Sequence, residues 1–183
     1  YTYSVAEANG EYDASAFGNQ YVDAPSQQYL MPFDRTHDLA VSFYTFLPFG
    51  ITASMTHFYQ SGFPYTPWIF NAGGDKPIAD LLNKYTERSE AYQRVDLSFS
   101  KYVAFKNTKM TLGLNLYNLF NKQNVNNIYP LTGEADNPGN YYLNDELQNL
   151  PALGGDYSSG YYDRPWYYST PREINFFVRF DFN

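Results

Sequence analysis

Few side chains in this sequence have the types and spacing that chemistry requires. His37 and His57 are its only histidines. Twenty residues apart, with no cysteine in the chain and no HExxH spacing, they fit ordinary structural positions better than a zinc or acid–base site. No GxSxG or phosphate-binding loop occurs, and the absence of cysteine removes thiol nucleophiles, disulfides and thiolate metal sites. Asp136-Asn137-Pro138-Gly139-Asn140 and Asn144-Asp145-Glu146 offer oxygens that a calcium ion accepts. Their spacing matches no EF-hand loop, so a solvated acidic loop is the better reading. Arg94 with Asp96, and Arg179 with Asp181, are spaced two apart, which puts both charges of each pair on one face of a strand. The expectation is no enzyme, no metal and no cofactor.

The elements that position these residues follow from composition and periodicity. Aromatic residues make up 20% of the chain, with 20 Tyr and 15 Phe, yet hydrophobic residues reach only 44%. Mean hydropathy is −0.52. Much aromatic surface at low hydropathy implies strands that are apolar on one face, joined by polar loops. No run of 18 apolar residues is present, so no transmembrane helix is expected. A net charge of −7 argues against nucleic acid as a partner. The opening Tyr1-Thr2-Tyr3-Ser4-Val5 has neither Met nor a signal-peptide pattern and reads as a strand already under way.

Period-two alternation dominates the rest. Leu39, Val41, Phe43 and Leu47 oppose Ala40, Ser42, Tyr44 and Phe46; Ile51, Ala53 and Met55 oppose Thr52, Ser54 and Thr56. Val95, Leu97, Phe99, Val103 and Phe105 oppose Arg94, Asp96, Ser98, Ser100 and Tyr102. Met110, Leu112, Leu114 and Leu116 oppose Thr111, Gly113, Asn115 and Tyr117. Ile174, Phe176, Val178, Phe180 and Phe182 oppose Asn175, Phe177, Arg179 and Asp181. Such segments, about 9–12 residues long, suit a tilted strand crossing a bilayer.

The connections alternate strictly. Tight turns at 48–50 and 106–108 separate long loops near 6–32, 64–91 and 122–170. Outer-membrane barrels have this pattern, with short periplasmic turns and long extracellular loops. The long loops hold 14 acidic and 5 basic residues, whereas the remainder holds 5 and 7. Lys101 breaks the alternation, sharing parity with Leu97 and Phe99, so either it snorkels to an interface or a bulge reorients it. Aromatics gather at strand ends and loop bases: Tyr59, Phe63, Tyr65 and Trp68; Tyr141 and Tyr142; Tyr161, Tyr162, Trp166, Tyr167 and Tyr168. A girdle at the membrane interface is the first reading, and packing inside a folded loop the second.

Short motifs in order along the chain carry a resemblance. Asp34-Arg35-Thr36-His37-Asp38 opens a strand ending Leu47-Pro48-Phe49-Gly50, and the next runs out to Ser61-Gly62-Phe63-Pro64-Tyr65-Thr66-Pro67. Arg94-Val95-Asp96-Leu97, Lys101-Tyr102 and Asn115-Leu116-Tyr117-Asn118-Leu119-Phe120-Asn121 follow, and Thr170-Pro171-Arg172-Glu173 leads into Phe176-Phe177-Val178-Arg179-Phe180-Asp181-Phe182. Together they cover nearly the whole chain, which resembles the C-terminal β-barrel portion of TonB-dependent outer-membrane receptors, in the style of Bacteroidetes-type bacteria. The resemblance implies a Gram-negative outer membrane and a 22-stranded barrel closed by an N-terminal plug with a TonB-contacting box. It also implies active uptake of a siderophore, cobalamin or glycan. The final Phe182-Asn183 departs from the terminal aromatic common in outer-membrane proteins.

The expected fold is therefore all-β: an antiparallel, up-and-down transmembrane β-barrel segment of about six strands, incomplete and without the plug. Lipid-facing candidates are Val95, Leu97, Phe99, Leu112, Leu114, Leu116, Phe176, Val178 and Phe180. Lumen-facing candidates are Arg94, Asp96, Arg179 and Asp181, expected to pair across strands and hold a polar network, with a place on the substrate path as the sharper alternative. The implied partners are outer-membrane lipid, the barrel strands and plug missing here, the TonB complex acting through that plug, and a surface lipoprotein that the family resemblance allows. The alternative from another class is a secreted all-β carbohydrate-binding module that stacks exposed aromatics on glycans.

Overall fold

The structure is a computed structural model that describes residues 1–9, 28–143 and 162–182. Twelve strands are described: β1 (Thr2–Tyr3), β2 (Glu7–Asn9), β3 (Gln28–Leu30), β4 (His37–Leu47), β5 (Ile51–Gln60), β6 (Pro64–Tyr65), β7 (Trp68–Phe70), β8 (Pro77–Ala79), β9 (Glu87–Arg88), β10 (Tyr92–Phe105), β11 (Thr108–Tyr117) and β12 (Glu173–Phe182). The fold is all-β and antiparallel. Six of these strands form one sheet in the order β1-β4-β5-β10-β11-β12. Among the described residues the sheet is open: it does not close on itself, and β12 and most of β4 lie at edges without a described partner.

Register decides what the alternation means. Leu97 stands opposite Leu116 on one side and Met55 on the other, and Leu116 stands opposite Ile174. Phe99 likewise joins Leu114 to Ala53, and Leu114 joins Phe176. Val41, His57 and Val95 form another such row. Because facing residues in an antiparallel ladder share a face, the apolar sides of β4, β5, β10, β11 and β12 merge into one surface. A slip of one residue at any pair would have broken it. The apolar surface is uncovered among the described residues, with Phe176 69% and Phe182 79% exposed.

Connections segregate by end. Pro48–Gly50 and the two residues 106–107 close hairpins at one end, while the long connections 4–36, 61–91 and 118–172 leave from the other. Thr108 belongs to β11 rather than to its turn, pairing with Phe105 and Phe182. At the first hairpin Phe49 and Gly50 both take positive φ, 64° and 69°. That conformation is cheap for glycine and costly for a bulky residue, and the Phe49 ring is left in the open.

Three findings sharpen the sequence reading. The opening strand is only two residues long in the described sheet, Thr2–Tyr3 against His37–Asp38. Lys101 marks no bulge: the ladder runs unbroken through it, opposite Ile51 and Leu112. The stretch 64–91 is not plain loop, since β7 pairs with β8 and β6 with β9.

Candidate functional site

Two regions hold the polar groups that could act on a ligand, the polar face of the sheet and the cap built by the long connections. On the polar face, Arg94 donates from Nε to Asp96 Oδ1 at 2.7 Å and from Nη2 to Oδ2 at 2.6 Å. Paired hydrogen bonds of this kind are geometrically specific. The guanidinium also lies over the Tyr117 ring, 5.4 Å from its centroid. Arg179 Nε reaches Asp181 at 3.2 Å in the same i, i+2 relation. Both pairs run along a strand, not across strands. Arg94 stands opposite Phe58, so no acid faces it on β5. Asp181 stands opposite Lys109 but bonds Arg179, its neighbour on the same face.

Hydroxyl and amide groups fill the rest of this face. Ser98 Oγ donates to Asn115 Oδ1 at 2.7 Å, and Thr52 and Ser100 hydroxyls meet at 2.5 Å. A shallow trough of about 270 Å³ runs between Thr56, Phe58, Asp96, Ser98, Asn115 and Tyr117. The face is not uniformly polar, since Tyr44, Phe46 and Phe177 also project from it and are exposed. The nine lipid-facing candidates all lie on the opposite face, separated from the four charged residues by strand parity.

Where the sheet meets the cap, polar side chains tie distant loops together. Asp34 is 2% exposed. Burial alone would raise its carboxyl, but the Ala6 amide, the Thr36 hydroxyl and the Arg88 guanidinium outweigh it and hold the group below the ordinary aspartate range. Arg88 donates from Nη2 to Asp34 at 2.7 Å and to Thr36 Oγ1 at 2.6 Å, and from Nη1 to the Gly62 carbonyl at 2.8 Å. Arg35 stacks on Phe63 beside this knot. Sequence reasoning missed Arg88. The signal was a lone arginine in a loop, 54 residues from its partner.

A second knot explains the asparagine run after β11. Asn118 and Asn121 both take φ of 52°, a left-handed conformation that asparagine tolerates well among non-glycine residues. Asn118 accepts from the Lys122 amide at 3.0 Å and donates to the Lys122 and Thr170 carbonyls at 3.0 and 3.2 Å. Its own amide donates to Asp96 at 2.9 Å, which joins this knot to the Arg94 pair. Asn124 copies a strand, donating to the Gln93 carbonyl and accepting from the Gln93 amide, each at 2.8 Å. The chain therefore leaves the sheet on these side-chain bonds together with one backbone bond, from the Leu119 amide to the Val95 carbonyl at 2.8 Å.

The cap holds the buried hydrophobic residues of the described structure: Ile128, Tyr129, Ala135 and Tyr167. Tyr162 and Tyr168 pack against this core, and Tyr142 meets Tyr162 with ring centroids 5.8 Å apart. For these tyrosines the girdle reading is wrong: they pack against one another inside a folded cap. Trp166 stays exposed, and Tyr161 lies outside the described residues.

Beside the core, a cleft of about 480 Å³ is lined by Glu134, Asp136, Asn137, Leu143, Tyr162 and Asp163. Burial pushes the Tyr168 hydroxyl up, and the nearby Asp136 carboxylate adds to the effect. Asn137 spends its side chain on its own turn, accepting from the Gly139 amide and donating to Glu134. Asn144-Asp145-Glu146 lies outside the described residues.

Neither histidine joins a cluster. His37 Nδ1 meets the Tyr1 hydroxyl at 2.7 Å, and His57 sits in the apolar row between Val41 and Val95. Among the described residues no three His, Cys, Asp or Glu groups converge to hold a metal ion. Comparison with protein-family models, with curated proteins and with solved structures found no match to the chain.

Proposed function

We propose that the chain is a membrane-embedded segment of an outer-membrane β-barrel, of the kind used by TonB-dependent receptors for active uptake of a large nutrient. It performs no catalysis in this reading. The observation that carries it is the single apolar surface made in register by five strands and left uncovered by any other described residue. Exposed apolar area on this scale requires a nonaqueous neighbour. Hydrocarbon fits, because strand lengths of 10–14 residues suit a tilted crossing. The receptor class rests on the ordered motifs from Asp34 to Phe182, and the cap would then form part of the outward-facing vestibule.

A soluble carbohydrate-binding module needs these same Leu, Val and Phe side chains packed against a second layer, and no described element supplies one. The test uses the lack of cysteine. Leu114→Cys and Asn115→Cys place single thiols on opposite faces of β11. Labelled with bimane in membranes containing brominated lipid, the first should be quenched and the second spared. A detergent-free soluble protein with neither probe quenched would return the reading to the binding module. Crosslinking to TonB in intact cells tests coupling separately, and its absence from an embedded chain would leave a barrel of another class.

A further inference from the structure

The geometry points to the β10–β11 hairpin as a docking surface for anionic phospholipid headgroups, with Lys101 and Lys106 as its contacts. The inference rests on the membrane reading above and adds a partner and a depth to it. Lys101 is the one charged residue on the apolar face of β10, held there by continuous pairing to Ile51 and Leu112. Lys106 lies in the turn itself, between Phe105 and Thr108. Both are exposed, and neither forms an ion pair with a described residue.

Placement explains why a lysine is tolerated on this face. Four residues separate Lys101 from Phe105, about 13 Å along a strand at ~3.3 Å per residue. Tilted by ~40°, that is about 10 Å of depth, and a lysine stem directed toward the turn covers more than half of it, leaving the ammonium a few ångströms below the rim, where headgroups reach it. Phe105 and the ring of Phe49 at the neighbouring hairpin tip, both exposed, border the same rim. Charge complementarity selects the lipid. Among the described residues the long connections at the opposite end of the sheet carry nine acidic side chains, whereas Lys101, Lys106 and Lys109 gather at the turn end with Asp181 as the acid beside Lys109.

Lys109 is the internal control. It lies on the polar face opposite Asp181, pointing away from the apolar surface. The membrane-extracted protein at its natural length is presented with phosphatidylglycerol and with phosphatidylcholine, and retained lipid is counted by native mass spectrometry. The unaltered protein should prefer phosphatidylglycerol. Lys101→Gln and Lys106→Gln should each reduce that preference roughly fivefold, as expected for one lysine near an anionic surface. Lys109→Gln should leave it unchanged.

Equal retention of both lipids, or an equal loss in all three variants, overturns the docking surface while leaving the membrane reading intact. Retention of neither lipid by a protein that stays soluble without detergent removes both. The side chains of Lys101 and Lys106 make no hydrogen bond to a described residue, so loss of the fold does not stand in for loss of binding.

Discussion

The ring of Phe177 lies across the backbone of Gly113, its cross-strand partner, so closely that a Cβ on Gly113 would sit 2.1 Å from the ring. Glycine thus leaves room on the polar face of β11 to seat an aromatic from β12. Gly113→Ala should displace the ring at a cost of about 1 kcal/mol, the low end of the overpacking range, because the Phe177 ring is exposed and can swing aside. Adding Phe177→Leu should recover much of that loss, giving a clear non-additivity in thermal unfolding followed in detergent.

Asp34 and Arg88 join two long connections through one buried carboxylate whose side chain is 1% exposed against 30% for the arginine. Breaking an enclosed pair costs about 3–5 kcal/mol, and the partial exposure of Arg88 lowers the expectation to about 2–3. Arg88→Met should loosen the cap while the sheet persists. Limited proteolysis should cut within 61–91 in the variant and not in the parent.

The same carboxylate gives a pH dependence of definite sign. Its folded-state pKa lies below the unfolded one, so its stabilisation is complete above the ordinary aspartate value and fades as pH falls through the lowered one. The cap should therefore become protease-sensitive only from about pH 4 downward. Asp34→Asn should be sensitive already at neutral pH and show no such acid step.

Asn118 makes its turn through both backbone and side chain. Asn118→Gly keeps the positive φ and loses three side-chain bonds, whereas Asn118→Ala loses the bonds and adds strain. The expected order of stability is Asn, then Gly, then Ala. The Gly and Ala variants should differ by about 1 kcal/mol in chemical unfolding.

Arg94→Ala should weaken the sheet–loop junction without changing which ligand binds, because its partner Asp96 also accepts from the Asn118 amide. Arg94→Lys should not restore it, since a lysine cannot reproduce the forked contact. A selective change in ligand preference, measured by binding to cells, would move Arg94 from positioning to recognition.

What the sequence made legible was whatever depends on neighbours a few residues apart. Period two located all five long strands and sorted Arg94 and Asp96 from Val95 and Leu97, because parity is local. It also separated short from long connections, since Pro48-Phe49-Gly50 and Lys106-Asn107-Thr108 are punctuation visible in place, the last overshooting by Thr108. The cap was not legible. Its bonds join residues such as Asp34 with Arg88 and Asn118 with Thr170, more than fifty positions apart, and its tyrosines carry no periodicity. Rings like Tyr167 look alike in sequence whether they meet an interface or each other.

Among the described residues the buried hydrophobic side chains, Tyr129 and Tyr167 among them, belong to the cap, while the ordered Leu, Val and Phe rows of the sheet look outward. On the membrane reading proposed above, one end of the molecule keeps its oil inside and is suited to water, while the other keeps its oil outside and depends on an oily surrounding. Stripping away detergent should therefore attack the two parts unequally, undoing the ribbon of strands before the tyrosine knot above it.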